Sequence, residues 1–270
     1  MNRKIEFVYP VKTQAISLTG GGCGLKCKHC GGVYLNFMKT KKDIDSLKDK
    51  TSLLISGGSD SFGRVPIREN IDLLRKLKKE GYRLNLHTGL IDEEDIDLVK
   101  EVADTVSFDF LTDEETIKEV YGIPKTPQDY YDILELMLKK GLNVIPHVTI
   151  GILGGKIKGE YDAIRLLKNL PCKEVILLIF VPTKGTEYEN RAPVSISEVE
   201  KILYYARKIL RDKKLTLGCL RPKGSYRYLT DVTAINNSFD KIVMPNIKAK
   251  VYAKELHMEI IEKEECCALE

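Results

Sequence analysis

Residues 14–32 read QAISLTGGGCGLKCKHCGG, an apolar stretch that runs directly into a glycine-rich loop with three cysteines. The apolar and β-branched composition of Gln14–Leu18 predicts a strand. Cys23, Cys27 and Cys30 follow at spacings of four and three residues. The flanking glycines let the backbone wrap closely and direct N–H groups at the sulfurs or at a ligand. Three thiolates spaced in this way can converge on one iron–sulfur cubane and leave one of its irons open.

Two other interpretations of the loop stay open. His29 could be the fourth ligand of a zinc ion, or the cysteines could be unrelated buried residues. Zinc sites usually draw their ligands as two separated pairs, and no second pair is suitably placed here. The spacing therefore favours an iron–sulfur cluster.

Seven further runs rich in apolar and β-branched residues predict strands. They are Ser52–Ser56, Arg83–His87, Thr105–Phe110, Asn143–Ile150, Glu174–Val181, Leu215–Cys219 and Lys241–Met244. Apolar residues at spacings of three and four predict the intervening helices. These cover Ile67–Lys79, Glu93–Ala103, Pro127–Lys140, Tyr161–Leu170, Ile196–Arg211, Tyr226–Asn236 and Ile247–Glu262. Strands alternating with helices pair in parallel through right-handed crossovers, which predicts an α/β fold, a single TIM-type (β/α)8 barrel with the cysteine loop after its first strand.

Length, charge and cysteine use restrict the class of protein. No Pro/Gly/Ser-rich linker divides the 270 residues, so we expect one domain over 1–270, with an N-terminal extension over 1–12 and a C-terminal tail over 263–270. The net charge of +4 is too small to indicate a nucleic-acid partner. No run of apolar residues is long enough to span a membrane. We expect a cytoplasmic protein, in which the seven cysteines serve metal ligation before disulfides.

The C-x-x-x-C-x-x-C pattern of Cys23, Cys27 and Cys30 after the first strand resembles the radical S-adenosylmethionine superfamily. The resemblance implies that these residues hold a [4Fe–4S] cluster whose open iron chelates S-adenosylmethionine. Reduction by a donor such as ferredoxin or flavodoxin would cleave the cofactor, and the 5′-deoxyadenosyl radical would abstract a hydrogen from substrate. His29 stands where the family usually has an aromatic residue near the adenine, and a histidine ring can also stack there.

The same resemblance implies roles at three other strand ends. Ser56-Gly57-Gly58 resembles the motif that contacts the methionyl amino group. Asp109 resembles the polar residue that holds the ribose hydroxyls, and Gly151 begins a turn that resembles the segment packed against adenine. His87 and His147 could face the substrate or be satisfied core histidines.

Two further residues have structural predictions. Asp113 is expected to cap a helix over 114–121. Cys172 precedes the sixth predicted strand, which places it at the rim opposite the functional loops and makes it structural.

The nearest resemblance within the superfamily is to biotin synthase. Lys184-Gly185-Thr186 resembles a loop of that enzyme, and Arg221 falls where it has an arginine that ligates an auxiliary cluster. The strands that carry the auxiliary cysteines in biotin synthase offer His87 and Asp109 here, so ordinary biotin synthesis is not expected.

Bacterial lipoyl synthase carries an extra three-cysteine motif ahead of the radical loop, and the residues before Cys23 contain no cysteine. What remains resembles the biotin-synthase-related archaeal group, which includes the split, two-protein lipoyl synthase. This resemblance implies sulfur insertion into a protein-bound octanoyl chain, with a lipoyl-carrier protein and a partner subunit.

Cys219, Arg221, Cys266 and Cys267 are candidates to hold a second iron–sulfur cluster or to contact substrate. One geometric objection applies, because a helix of about 16 residues would carry the cysteine pair about 24 Å from the functional end of the barrel, unless the tail folds back or the helix ends early. An exposed, inert or partner-facing pair is the alternative.

Three hypotheses follow. The first is a sulfur-inserting radical enzyme of lipoyl assembly. The second is a radical enzyme of the same build that acts on another small substrate in cofactor maturation. The third is a non-catalytic iron–sulfur or zinc protein.

Overall fold

The computed structural model describes residues 3–47 and 49–269, without the side chain of Asp45. One sheet contains all eight predicted strands and three more. The strands are β1 (Lys4–Val8), β2 (Thr13–Ser17), β3 (Lys39–Thr40), β4 (Ser52–Ser56), β5 (Arg83–His87), β6 (Thr105–Asp109), β7 (Val144–Ile150), β8 (Glu174–Ile179), β9 (Lys214–Leu217), β10 (Lys241–Val243) and β11 (Glu259–Lys263). The parallel α/β class is confirmed.

The closed eight-stranded barrel is not confirmed. The sheet order is β11-β1-β10-β9-β8-β7-β6-β5-β4-β2-β3, and every ladder between these strands is parallel. The predicted strands are therefore neighbours in the predicted order. However, β10 pairs with β1 and not with β2, so over the described residues the sheet is open. The supposed N-terminal extension supplies β1, because Ile5, Phe7 and Val8 are buried there.

Eight α-helical segments accompany the strands in the described part of the chain. They are α1 (Ile71–Lys79), α2 (Ile96–Val102), α3 (Glu114–Thr116), α4 (Pro127–Lys139), α5 (Glu160–Leu167), α6 (Ile196–Ile209), α7 (Ser225–Asn236) and α8 (Ile247–Glu255). Asp113 caps α3 as predicted, because its carboxylate accepts from the Thr116 backbone N–H at 2.8 Å. None of the described helices is long and apolar enough to cross a bilayer.

Alternate residues of each strand face opposite sides of the sheet. On β5, Leu84 and Leu86 are buried in the main hydrophobic core, which the helices share. Asn85 and His87 face the other side, where Asn85 bonds Ser107 and His87 contacts the His147 ring. We call the space on this second side the lumen. It is lined by polar groups as well as by apolar ones.

The helix predicted over Ile247–Glu262 ends early, which is a correction. It stops at Glu255, and His257 adopts a positive φ of 52° that reverses the chain into β11. Ile247 and Val251 lie on the exposed side of this helix, at 73% and 52% exposure, and its buried residues are Ala249 and Ala253. The residues that follow pair with β1 as a strand.

The chain after β11 crosses the amino-terminal end of the lumen. We call residues 264–269 the floor segment. Its Cys266 backbone N–H donates to Thr13 Oγ1 on β2 at 2.7 Å, and Lys241 Nζ on β10 donates to the Cys267 carbonyl at 3.1 Å. Ala268 packs with Ile145 and Ile176. Strands from across the sheet thus meet one short segment, so the sheet curls around the lumen. Cys172 is buried at the same end, as predicted.

A buried ion pair anchors this end. Lys241 Nζ lies 2.8 Å from Glu174 Oε2, with side-chain exposures of 2% and 5%. Thr216 Oγ1 donates to the other oxygen of the Glu174 carboxylate at 2.5 Å. Breaking a buried pair by removing one charge usually destabilises far more than replacing both residues.

Glu174→Gln leaves the buried Lys241 ammonium without its opposite charge. We therefore expect it to lower the free energy of unfolding by about 3–5 kcal/mol in urea denaturation. The double variant Glu174→Leu/Lys241→Met should lose much less than the two single changes added together. Lys4→Met is the control, because the Lys4–Glu259 pair is 65% and 50% exposed, and exposed pairs contribute at most about 1 kcal/mol. Equal losses for Glu174→Gln and Lys4→Met would contradict the anchoring role.

Candidate active site

The cysteine loop leaves the carboxyl end of β2 and turns back over it. The backbone N–H groups of Cys30 and Gly31 both donate to the Cys27 carbonyl, at 3.1 and 2.8 Å, which forms a helical turn. The Cys23 Cβ atom lies only 3.6 Å from where a side chain on Gly32 would begin. The two ends of the loop are therefore close together. Cys27 is buried, and Cys23 and Cys30 are half-buried.

The turn after β4 supports this loop from behind. Gly24 N–H donates to the Ser59 carbonyl at 2.7 Å, and Gly58 N–H donates to Thr19 Oγ1 at 2.7 Å. A Cβ atom on Gly58 would lie 1.9 Å from the Gly22 carbonyl oxygen and 2.5 Å from Cys23 Cα. Glycine is therefore required at position 58 to seat the cysteine loop. Contact of the Ser56–Gly58 turn with S-adenosylmethionine stays a prediction.

The thiols of Cys27 and Cys30 interact directly. The hydrogen bond from Cys27 lowers the pKa of Cys30 to about 4, and the same contact together with burial raises the pKa of Cys27. One thiolate is thus favoured at neutral pH, as ligation of iron requires. Within the described residues, no three His, Cys, Asp or Glu side chains are placed to hold a single metal ion. In a cubane, by contrast, the thiolates bind different irons and lie farther apart than ligands of one ion.

His29 lies beside the loop with one ring nitrogen unsatisfied. Its Nδ1 is buried and has no hydrogen-bond partner among the residues that are described. Its ring centroid lies 5.4 Å from that of Tyr121. A buried polar atom without a partner is expected where a ligand completes the site. The three thiols, the glycine-lined turn and His29 therefore fit a [4Fe–4S] cluster with S-adenosylmethionine, and stacking of His29 on the adenine stays a prediction.

The lumen below the loop contains Asp109, His87 and His147. The two histidine rings lie 5.2 Å apart, and His147 Nδ1 is 3.1 Å from the Ile145 carbonyl. Burial lowers the pKa of both rings, that of His147 to about 4, so both are neutral at pH 7. His147 therefore donates from Nδ1, and its Nε2 carries the lone pair. Asp109 is exposed at the end of β6, where its ribose role stays a prediction.

Gly151 has a packing role. Its φ is +73°, and a Cβ atom there would lie 2.1 Å from the Val194 side chain. Its N–H already donates to the buried Glu160 carboxylate at 2.7 Å. The backbone N–H is thus occupied, and an adenine contact of this residue would have to use other atoms.

The guanidinium of Arg221 is occupied by protein partners, and a role in binding a second cluster stays a prediction. The side chain is fully buried and pairs with Asp231, with Nη2 2.7 Å and Nε 3.0 Å from Oδ1. Its remaining nitrogen donates to the Gly218 carbonyl. Arg221 thereby braces the chain around Cys219, together with Arg227, which donates to the Cys219 carbonyl at 3.2 Å.

Cys266 and Cys267 reach the lumen, as the geometric objection allowed for a helix that ends early, whereas Cys219 is exposed beyond the carboxyl end of β9. Because α8 ends early and the chain folds back, the floor segment brings the cysteine pair to the lumen. Cys266 Sγ accepts from Asn85 Nδ2 at 3.5 Å. The pKa of Cys219 is raised by desolvation of its thiol, although the residue as a whole is exposed, and to a smaller extent by the charge of Cys266. The hydrogen bond from Cys267 lowers the pKa of Cys266 to about 7.

Sequence reasoning missed Tyr34. Its hydroxyl lies 2.6 Å from Thr183 Oγ1, so the cysteine loop is tied to the loop after β8. Thr183 itself donates to the Val181 carbonyl, and the tyrosine is therefore the donor in that pair. The pKa of Tyr34 is raised by burial and, to a smaller extent, by Cys30 and Cys219. Tyr34 thus joins two loops at the lumen mouth, and no local pattern in the sequence marks it.

Gly58→Ala should displace the cysteine loop, because the added methyl group overlaps backbone atoms of Gly22 and Cys23. We expect 5′-deoxyadenosine formation to fall on the order of 100-fold, the usual effect of a misplacement of about 1 Å. Iron bound after anaerobic reconstitution should fall with it. Gly22→Ala is the matched control, since its Cβ atom would meet only the Thr19 carbonyl at 3.5 Å. Similar behaviour of the two variants would show that the tight contact does not matter.

Solved structures share this architecture. Methylornithine synthase (PylB) matches with a TM-score of 0.65 and 14% identity, over 95% of this chain and 83% of that chain. The FeFe-hydrogenase maturase HydG from Carboxydothermus hydrogenoformans matches with a TM-score of 0.66 and 14% identity, over 89% of this chain and 58% of that chain. At such identities the likeness concerns the fold, a parallel α/β partial barrel.

Sequence comparison gives a relative and a family. Biotin synthase from Campylobacter hominis is 26% identical over 212 residues, which are 72% of this chain and 64% of that enzyme. The chain thus spans less than two-thirds of the length of this relative. The Radical SAM superfamily model matches residues 17–170, a region that includes the cysteine loop and the ends of β2 to β7. This chain belongs to the Radical SAM superfamily.

Proposed function

We propose that this radical enzyme inserts sulfur into C–H bonds of an octanoyl group in lipoyl biosynthesis, with the sulfur drawn from a second iron–sulfur cluster. Cys219, Cys266 and Cys267 would hold that cluster. The observation that carries the proposal is that the floor segment brings Cys266 and Cys267 to the lumen, where the Cys266 thiol accepts from Asn85 and raises the pKa of Cys219.

The cysteine loop and the residues that position it have separate roles in this proposal. The cluster at Cys23, Cys27 and Cys30, when bound, supplies the electron that cleaves S-adenosylmethionine to the 5′-deoxyadenosyl radical. The Gly58 turn fixes this loop. Tyr34 and Thr183 hold the loop against the other side of the lumen mouth, which keeps water from the radical.

An exposed apolar patch at the carboxyl end of β10 supports a protein partner. Met244, Ile247 and Val251 are 47%, 73% and 52% exposed, and Lys248 and Lys254 lie on the same helix. Clustered apolar exposure of this kind is common where another protein binds. We propose the lipoyl-carrier protein or a partner subunit as the occupant. The electron donor and the cytoplasmic location stay predictions.

A second candidate function is favoured by the polarity of the lumen. Asn85, Ser107, His87, His147 and Asp109 offer many hydrogen-bonding groups, whereas an octanoyl chain needs apolar contacts. A small polar substrate of cofactor maturation would use them better. The apolar Ile145, Ile176 and Leu178 next to the thiols favour the octanoyl chain instead. A non-catalytic protein is the third candidate, and it would not cleave S-adenosylmethionine.

Iron counting after anaerobic reconstitution tests the proposal. The wild type should bind about eight irons, and Cys266→Ser/Cys267→Ser about four. The double variant should still form 5′-deoxyadenosine and should make no thiolated product from an octanoyl-lysine peptide. Cys27→Ala should show the opposite pattern, with the second cluster kept and cleavage of S-adenosylmethionine lost.

Cys172→Ala serves as the cysteine control, because Cys172 is buried in the main hydrophobic core, on the other face of the sheet from Cys266 and Cys267. It should leave both measurements unchanged. If the wild type binds only about four irons and forms product from a small polar substrate, sulfur insertion is contradicted and the cofactor-maturation function is supported instead. Intact cleavage in Cys27→Ala would contradict the assignment of the radical site.

A further inference from the structure

A cleft of about 350 Å³ opens at the amino-terminal end of the sheet, opposite the Cys23–Cys30 loop. Its walls include the first residues of β5, β9 and β10, which are Arg83, Lys214 and Lys241. The floor segment supplies Cys266 and Cys267 to the same walls. The pair of cysteines therefore faces the lumen on one side and this cleft on the other.

The size and charge of the cleft limit what can enter. At about 30 Å³ per water molecule, it holds roughly ten waters, so it admits small species and no protein domain. Arg83 pairs with Glu265, and Lys241 pairs with Glu174, so the inner charges are matched. Lys214, Lys263 and Glu264 are exposed at the rim and Glu6 is half-buried beside them, so charges of both signs line the cleft in nearly equal number. Neither a small cation nor a small anion is strongly repelled.

We propose that this cleft is the route by which ferrous iron and sulfide reach Cys266 and Cys267. The inference rests on the proposed function, in which the second cluster gives up sulfur and must be rebuilt after each turnover. The lumen mouth is bordered by the cysteine loop and by the Tyr34–Thr183 contact, and it is the side that substrate and S-adenosylmethionine must use. A separate opening at the amino-terminal end lets the second cluster be rebuilt while substrate and S-adenosylmethionine occupy the lumen mouth.

Hydrogen bonds hold the backbone of the floor segment in place, so the route does not require this segment to move. The Glu265 carboxylate accepts from Arg83 and from Thr51 Oγ1, both at 2.5 Å. The Cys266 N–H and the Cys267 carbonyl are bonded to Thr13 and Lys241. Because the backbone is anchored on both sides, access depends on the side chains at the rim.

Glu264→Trp places a bulky ring at the rim and tests the route. We expect the second cluster to form several-fold more slowly from ferrous iron and sulfide, followed by its absorbance and iron content. The radical cluster should form at the wild-type rate, as judged by 5′-deoxyadenosine formation, which also shows that the variant is folded. With preloaded enzyme, the first equivalent of product should form at the wild-type rate, and later turnovers supplied with iron, sulfide and reductant should slow by the same factor as cluster filling.

Glu262→Trp is the matched control on the neighbouring strand, because Glu262 is exposed and does not line the cleft. Lys263→Trp should behave like Glu264→Trp, and Glu264→Gln like the wild type. Equal filling rates in Glu264→Trp and Glu262→Trp would overturn the route and leave the proposed function standing. A wild type that binds no second cluster would instead overturn the proposed function, and the route with it.

Discussion

Parallel pairing of the strands is the constraint on which the rest of the structure depends. Because every ladder in the sheet is parallel, the carboxyl ends of the strands meet at one edge and their amino ends at the other. The cysteine loop, the Gly58 turn and Asp109 share the first edge for this reason. The floor segment and the Glu174–Lys241 pair share the second. Each edge therefore carries its own set of groups.

The same pairing gives the two faces of the sheet different environments. One face is covered by helices and is apolar, as Leu84 and Leu86 show. The other curls around a lumen, in which polar groups such as Asn85 can remain because they find partners there. The thiol pair of the floor segment enters this space from below, and the radical loop borders it from above.

Close backbone contact explains which glycines matter. Gly58 is needed because backbone atoms of Gly22 and Cys23 occupy the place of its side chain. Gly151 is needed because Val194 does so. The two residues come from similar glycine-rich strand ends, yet one supports the cysteine loop and the other packs two loops together. The residue type alone does not distinguish these roles, because the distinction lies in the neighbour that approaches.

The sequence by itself determined the eight central strands, their order and the cysteine loop, because short β-branched runs and the Cys23–Cys30 spacing are local signals. It did not determine where α8 ends, since the spacing of Ile247 and Val251 is helical on either face of a helix. Nor could it place Cys266 beside Asn85, or Tyr34 beside Thr183, because those contacts join residues far apart in the chain. Arg221 likewise matched a ligand position, but only the tertiary structure shows that Asp231 occupies its guanidinium. Local spacing dictates local geometry, whereas the partners of a side chain depend on how the whole sheet curls.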